Sequence, residues 1–329
     1  MRALGPPAVA PRAVLRCGRI ARWLLVAAAV SAVLPAVAQQ EDSPTTLTGT
    51  LLKARETGSI TIAYRASSIP FSYLSPRGEP IGYSIDLCKL LVEAISDEIG
   101  RTLAIRWQAV TPETRIASIA SGQSDLECGS TTSNVERRKT VAFSPTIFVS
   151  GTKLMVKKGS PIRSFRDLAG KKVVVTSGTT NEAAMRELAR KFKLDFALTT
   201  APDHAASFAM LTSGQVDAFA TDDVLLYGLL AESRQQGSYE VTGEFLSYDP
   251  YAIMYRRGDP QLARVVGDAF RTLAADREIE RRYERWFMHK LPSGVSLDLP
   301  MSAQLEAIVE AMGARGDDRP VGEVGDERR

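Results

Sequence analysis

Three arginines stand where the chain leaves predicted strands. Arg65 directly follows the alternating stretch 58–64, Arg115 lies in the first turns of a helix opened by Thr111-Pro112-Glu113, and Arg137 follows the polar run 130–136. A guanidinium presents a planar fork of donors that grips a carboxylate through two parallel hydrogen bonds. One such arginine is a solvated surface residue by default. Three of them in loops at the C-terminal ends of strands, where open α/β sheets bind ligands, form a candidate anion site. The loop Val175-Thr-Ser-Gly-Thr-Thr180 follows a strand and opens a helix, a context in which backbone N–H groups can hold an anion. By itself it reads equally well as a capped loop without a ligand.

Enzyme constellations are missing. The chain has two histidines, and His289 sits in a basic helix end. There is no HExxH, no GxSxG and no Walker phosphate loop. Nothing in the sequence asks for a cofactor or a metal. Cys88 and Cys128 lack metal-ligand spacing and are too few for a disulfide scaffold. They read as one disulfide or as two buried thiols.

The elements that must position these residues alternate between strand and helix. Strands are expected at 58–64, 103–110 and 172–176, and helices at 47–56, 81–99, 111–121 and 181–192. A short helix is capped by Ser164 with Asp167 three residues on, and Gly170 ends it. A long helical region is expected over 262–287. One segment echoes another: Ile119-Ala-Ser-Gly-Gln-Ser-Asp125 and Leu211-Thr-Ser-Gly-Gln-Val-Asp217 both read as helix, Ser-Gly-Gln turn, strand and polar loop. A repeat of this kind implies two similar α/β lobes.

The 329 residues suffice for two domains. Residues 1–38 carry five arginines and no acid, and an apolar run ends in Ala36-Val37-Ala38. These are the parts of a secretory leader, with an uncleaved anchor as the alternative. Cys17 precedes the apolar run and so does not sit where a lipidated cysteine should. Removing the leader takes the net charge from +3 to about −2, which leaves no basic field for nucleic acid. Beyond Met312 the Gly-, Asp- and Arg-rich tail is expected to be disordered.

Residues 58–290 resemble the periplasmic amino-acid-binding proteins of ABC importers (solute-binding protein family 3), and within them the glutamate/aspartate-binding branch. The motifs that carry the resemblance are Tyr64-Arg-Ala-Ser-Ser-Ile-Pro-Phe-Ser-Tyr73, Gly82-Tyr-Ser-Ile-Asp86, Glu127-Cys-Gly-Ser-Thr-Thr-Ser-Asn-Val-Glu-Arg137, Phe143-Ser-Pro-Thr-Ile-Phe148, Val173-Val-Val-Thr-Ser-Gly-Thr-Thr180, Asp203-His204 with Ser207-Phe208, and Asp222-Asp223. The resemblance implies an α/β, periplasmic-binding-protein-like type II fold, with two α/β lobes joined by two hinge strands and the ligand cleft between them. Lobe 1 would comprise 58–148 and 251–292, lobe 2 would comprise 151–246, and the hinges would fall near 149–151 and 247–249. Residues 39–57 would be a linker and N-terminal helix, and 293–329 a partly disordered tail.

Carried over residue by residue, Arg137, Thr132 and the helix start at Thr180 would hold the ligand α-carboxylate. Ser130 and Asp222 would receive the α-ammonium, and Arg65, Arg115 and His204 would face the side-chain carboxylate. Three arginines and one aspartate give a cleft near +2, and burying an unpaired arginine against a neutral ligand would be costly. The implied protein is a periplasmic monomer that passes L-glutamate or L-aspartate to a membrane permease, without enzymatic activity. Pro112 departs from the pattern, since close relatives tend to have a hydroxyl residue there; this leaves glutamate against aspartate open. The competing readings are a dehydratase-like enzyme on the same fold and a solute-sensing module for a receptor.

Overall fold

The computed structural model describes residues 46–314. The expected leader, Cys17 and the tail beyond 314 lie outside the described residues.

In chain order the first half contains α1 (Gly49–Thr57), β1 (Ser59–Tyr64), β2 (Ser67–Ser68), β3 (Ser72–Leu74), β4 (Pro80–Ile81), α2 (Tyr83–Ile99), β5 (Ala104–Ala109), α3 (Arg115–Ala120), β6 (Leu126–Glu127), α4 (Val135–Arg138), β7 (Val141–Phe143) and β8 (Phe148–Ser150). The second half follows with β9 (Thr152–Lys157), a 3₁₀ turn (Phe165–Leu168), β10 (Lys172–Thr176), α5 (Thr180–Phe192), β11 (Ala197–Ala201), α6 (His204–Thr212), β12 (Ala218–Asp222), α7 (Asp223–Ser233) and β13 (Tyr239–Thr242). The chain then returns through β14 (Asp249–Tyr251), β15 (Met254–Arg256), α8 (Pro260–Ala275), α9 (Glu278–Tyr283), a π turn (Glu284–Met288) and α10 (Ala303–Ala314).

Two five-stranded sheets carry the fold, with orders β5-β1-β6-β15-β7 and β11-β10-β12-β9-β13. In each, three parallel strands are followed by an antiparallel fourth: β15 on β6 in the first, β9 on β12 in the second. The echo in the sequence has an atomic counterpart. Asp125 donates its N–H to the Thr61 carbonyl and accepts the Thr61 N–H on its carboxylate at 2.8 Å. Asp217 makes the same pair of bonds to Lys172, with the carboxylate contact also at 2.8 Å. One aspartate therefore clamps the neighbouring parallel strand in each lobe, which explains why it closes both Ser-Gly-Gln turns.

The lobes are linked by the antiparallel pair β8–β14, in which Asp249 faces Ser150 and Tyr251 faces Phe148. Beside this ladder lies an aromatic cluster. Phe148 stacks on Phe287 at 5.1 Å, Tyr283 on Phe287 at 4.3 Å, and Phe71 meets Phe148 edge-on at 4.9 Å. Trp286 packs against Tyr73 and donates its indole N–H to Asp86 at 2.7 Å.

Several boundaries differ from those expected. Regular helix begins at Arg115 because residues 112–114 form a turn, although the Thr111 hydroxyl does accept the Thr114 N–H. The helix expected over 262–287 breaks at Arg277, which takes a left-handed conformation between α8 and α9. The segment expected as a tail from 293 includes α10, which buries Leu305, Val309 and Met312. Ser164 and Asp167 form the expected capping box, on a 3₁₀ turn.

Cys88 on α2 and Cys128 after β6 are joined as a disulfide, 40 residues apart. Loop-closure entropy for that span gives about 4 kcal/mol of stabilisation. Cys88→Ser with Cys128→Ser is expected to lower the melting temperature by several degrees, measured by calorimetry.

Candidate functional site

Between the two sheets lies a narrow, partly open cleft walled by Arg65, Arg115, Ser130, Thr132, Thr179, Thr180, Asn181, His204, Asp222 and Leu225. Seven of the eight residues singled out in the sequence line it. The eighth, Arg137, stands behind the wall, where its Nη1 donates to the Thr132 carbonyl at 2.9 Å. Pro112 is buried but is not part of the wall.

Each side chain reaches the cavity from a strand end or helix start. Arg65 follows β1 and Ser130 follows β6. Thr180 opens α5, His204 opens α6, and Asp222 ends β12. Thr179 caps α5, accepting the Glu182 N–H, so the first N–H groups of that helix point toward the cavity. Asn134 caps α4 in the same way by accepting the Arg137 N–H at 2.9 Å, and this fixes where Arg137 begins.

Arg65 is the residue least satisfied by the protein. It is 1 % exposed, and neither Nη1 nor Nη2 has a hydrogen-bond partner. Burial, with Arg115 adding to it, brings its pKa down to about 9. Arg115 is better held: Nη1 donates to the Thr131 hydroxyl at 2.6 Å, which in turn donates to Glu127 at 2.6 Å. Its Nε is unpartnered, and burial pulls its pKa down as well. Burial and Arg115 bring Arg137 to about 9.

On the opposite side, Asp222 is held by the Asn181 amide, which donates to Oδ1 at 2.7 Å, and by the Tyr251 hydroxyl, which donates to Oδ2. Burial, reinforced by Asp249, nevertheless pushes its carboxyl up to about 8. His204 Nδ1 is fixed 2.9 Å from the Thr176 hydroxyl, itself 2.9 Å from the Ser207 hydroxyl. Burial and the two nearby guanidinium groups hold the imidazole pKa well below its ordinary value.

The charge count made from sequence needs correction. Glu127 and Asp249 are buried beside the arginines, and Asp249 accepts the Thr132 hydroxyl at 3.0 Å. Counted as full charges, these two carboxylates cancel the surplus of +2. The case for an anionic ligand therefore rests on the local fact that the Arg65 fork has no protein acceptor. An unpaired buried cation is among the most expensive arrangements a protein can hold.

Sequence reasoning also missed Thr179, Asn181, Leu225 and Tyr251. Thr179 lies in the loop that drew attention to Thr180, and Asn181 directly follows it. Tyr251 carried no local signal, because its role depends on β14 crossing back beneath Asp222.

The family model for bacterial extracellular solute-binding proteins, family 3, matches residues 60–289. The chain is 42% identical over 294 residues to an L-glutamate/L-aspartate-binding protein of Pseudomonas aeruginosa, covering 88% of this chain and 96% of the relative. It is 37% identical over 286 residues to the glutamate/aspartate import solute-binding protein of Escherichia coli, covering 86% and 94%. Among solved structures, an ancestral arginine-binding protein bound to arginine matches with a TM-score of 0.64 at 28% identity, over 70% of this chain and 98% of that one. An ancestral amino acid-binding protein described as a precursor of cyclohexadienyl dehydratase matches with a TM-score of 0.63 at 28% identity, over 72% and 99%.

Proposed function

Because the chain belongs to the bacterial extracellular solute-binding proteins of family 3, we propose that it captures glutamate or aspartate in the periplasm and delivers it to the permease of an ABC importer. The observation that carries the ligand class is the buried, unpartnered Arg65 fork on the wall of a narrow polar cleft. The relatives whose names specify glutamate and aspartate support the same reading.

In this account the ligand completes the cavity. Its side-chain carboxylate takes the free donors of Arg65, with Arg115 and His204 beside them. Its ammonium sits at Ser130 and Asp222, where a positive charge lets the Asp222 carboxyl ionise. Its α-carboxylate meets the start of α5 at Thr180 and the Thr132 region, backed by Arg137. Lobes 58–148 with 251–292, and 151–246, would move as bodies about the β8–β14 ladder, as hinged binding proteins do. Without ligand, closure buries Arg65 unpaired and forces a proton onto Asp222. The ligand-free chain therefore favours an open cleft, and binding shifts the balance toward closure.

Capture fits the site better than turnover. His204 is the one histidine on the wall; Thr176 holds its Nδ1, and the arginines discourage protonation. A general acid or base would need its proton within easy reach. The exported leader over 1–38 and a monomeric state belong to the same proposal.

Thermal unfolding tests this reading. Glutamate or aspartate at one hundred times Kd is expected to stabilise the chain by about 2.7 kcal/mol. Succinate, which lacks the ammonium, should do far less. No shift with either amino acid at millimolar concentration would overturn the ligand assignment.

A further inference from the structure

At two glycines, Gly178 and Gly228, the second lobe meets the backbone of the first so closely that a side chain would clash. Gly178 lies in the loop ahead of α5. A methyl group there would come within 2.8 to 3.0 Å of the Cγ, N and Cα of Glu113, on the loop before α3. The neighbouring Ser177 hydroxyl donates to the Glu113 carboxylate. Gly178 has a φ of +73°, which already favours glycine for conformational reasons. The second glycine has no such reason.

Gly228 is buried in α7 with ordinary helical geometry. A methyl group at its α-carbon would stand 2.2 Å from the Ile69 carbonyl oxygen, 2.8 Å from the Ile69 carbonyl carbon and 3.1 Å from Ile69 Cβ. Ile69 lies in the turn after β2, four residues beyond Arg65, and Leu225, three residues before Gly228 in α7, forms part of the cavity wall. The contact therefore joins the turn after β2 in the first lobe to the helix that starts at Asp222 in the second. Glycine inside a helix weakens that helix relative to alanine. α7 contains Leu-rich turns on both sides of Gly228 and gains nothing locally from its presence. Its use is across the lobe boundary, where backbone meets backbone.

We propose that Gly228 is a positioning residue for closure: its bare α-carbon lets the Ile69 loop seat on α7, and any side chain there props the cleft open. This rests on the reading of the chain as a hinged binding protein. It adds a residue that touches no ligand yet sets affinity, because it acts on the closed state alone. Glutamate affinity in the open form would be unaltered, and the loss would come from the closed state becoming inaccessible.

Gly228→Ala separates this from a structural role, because the two predict opposite signs. A permanent core contact would make the ligand-free variant melt lower than wild type, since overpacking destabilises. A closure contact leaves the ligand-free variant melting at the wild-type temperature or above it, through better helix propensity, while glutamate Kd rises at least a hundredfold. Gly267→Ala, in α8 with only the end of Arg271 near at 3.8 Å, is the matched control and should keep wild-type affinity.

A readout without ligand completes the experiment. Glu113→Cys with Ser177→Cys places a cross-linking pair at the opposite lobe contact, and the rate of disulfide formation reports how often the cleft closes. Adding Gly228→Ala is expected to slow that rate at least tenfold, and adding Gly267→Ala should not. An unchanged rate, an unchanged Kd, or a lowered ligand-free melting temperature would each overturn the proposal. Normal cross-linking in the Glu113→Cys, Ser177→Cys chain with Gly228 intact, alongside wild-type protein that binds neither glutamate nor aspartate, would overturn the ligand assignment alone.

Discussion

Arg65→Met is expected to weaken glutamate and aspartate binding by roughly two to three orders of magnitude, while making the ligand-free chain close more readily. The first effect follows from removing one partner of a buried charge pair, a loss of ~3–5 kcal/mol. At about 1.4 kcal/mol per tenfold this is a factor of about a hundred to a few thousand. The second effect has the opposite sign because the wild-type guanidinium is buried in the closed cleft without a protein acceptor. Methionine fills a similar length with no charge to desolvate. Small-angle scattering should show the ligand-free variant more compact than ligand-free wild type. Calorimetry should show the preference for glutamate over glutamine shrinking toward unity. A variant that binds glutamate as wild type does would remove Arg65 from the site.

Asp222→Asn gives the second large effect, and it carries a pH signature. An amide cannot match the ligand ammonium with charge, so affinity should again fall by roughly a hundredfold or more. The sign of the pH dependence comes from the raised carboxyl. In the closed cleft without ligand the Asp222 pKa is about 8, whereas a hydrated aspartate in an open cleft titrates near ~4. Ligand-free closure therefore takes up a proton. Its contribution is full below about pH 4, declines as pH rises, and is gone above about pH 8. Ligand-free wild type should accordingly be more compact at pH 5 than at pH 8.5 in scattering measurements. Asp222→Asn should flatten that dependence, since its side chain has no proton to exchange. A wild-type profile that is level across this range would contradict the assignment of the raised pKa to the closed state.

Much of the architecture was legible because it is written in local patterns. The alternation in β1, the β-branched run of β10 and the Ser164 capping box are short-range signals. The two Ser-Gly-Gln-x-Asp turns were readable as a repeat, and their aspartates do the same work in both sheets. The arginines could be placed because each follows an element whose end is predictable. Burial of acids could not be read in the same way. Glu127 lies within a motif that carries the resemblance, yet its burial beside Arg115 depends on Thr131 folding back onto it. Asp249 and Tyr251 enter the site from the return strand, more than a hundred residues after Thr132, and no periodicity reports a crossing of that kind. The break at Arg277 was hidden because a left-handed arginine leaves the apolar spacing of α8 and α9 nearly continuous. α10 did have a helical signal in Leu305, Val309 and Met312, but the polar composition that follows masked it.

These points share one physical core. In the proposed function a molecule with two acid groups and one ammonium completes the cleft, because the protein leaves the Arg65 fork without an acceptor and Asp222 with only neutral donors. Glutamine has nearly the shape of glutamate and differs where Arg65 needs charge. Titration calorimetry of wild-type protein with glutamate and with glutamine, at the same pH and salt, measures that difference most directly. The account predicts glutamate binding at least a hundredfold tighter than glutamine; glutamine binding as tightly as glutamate would contradict it.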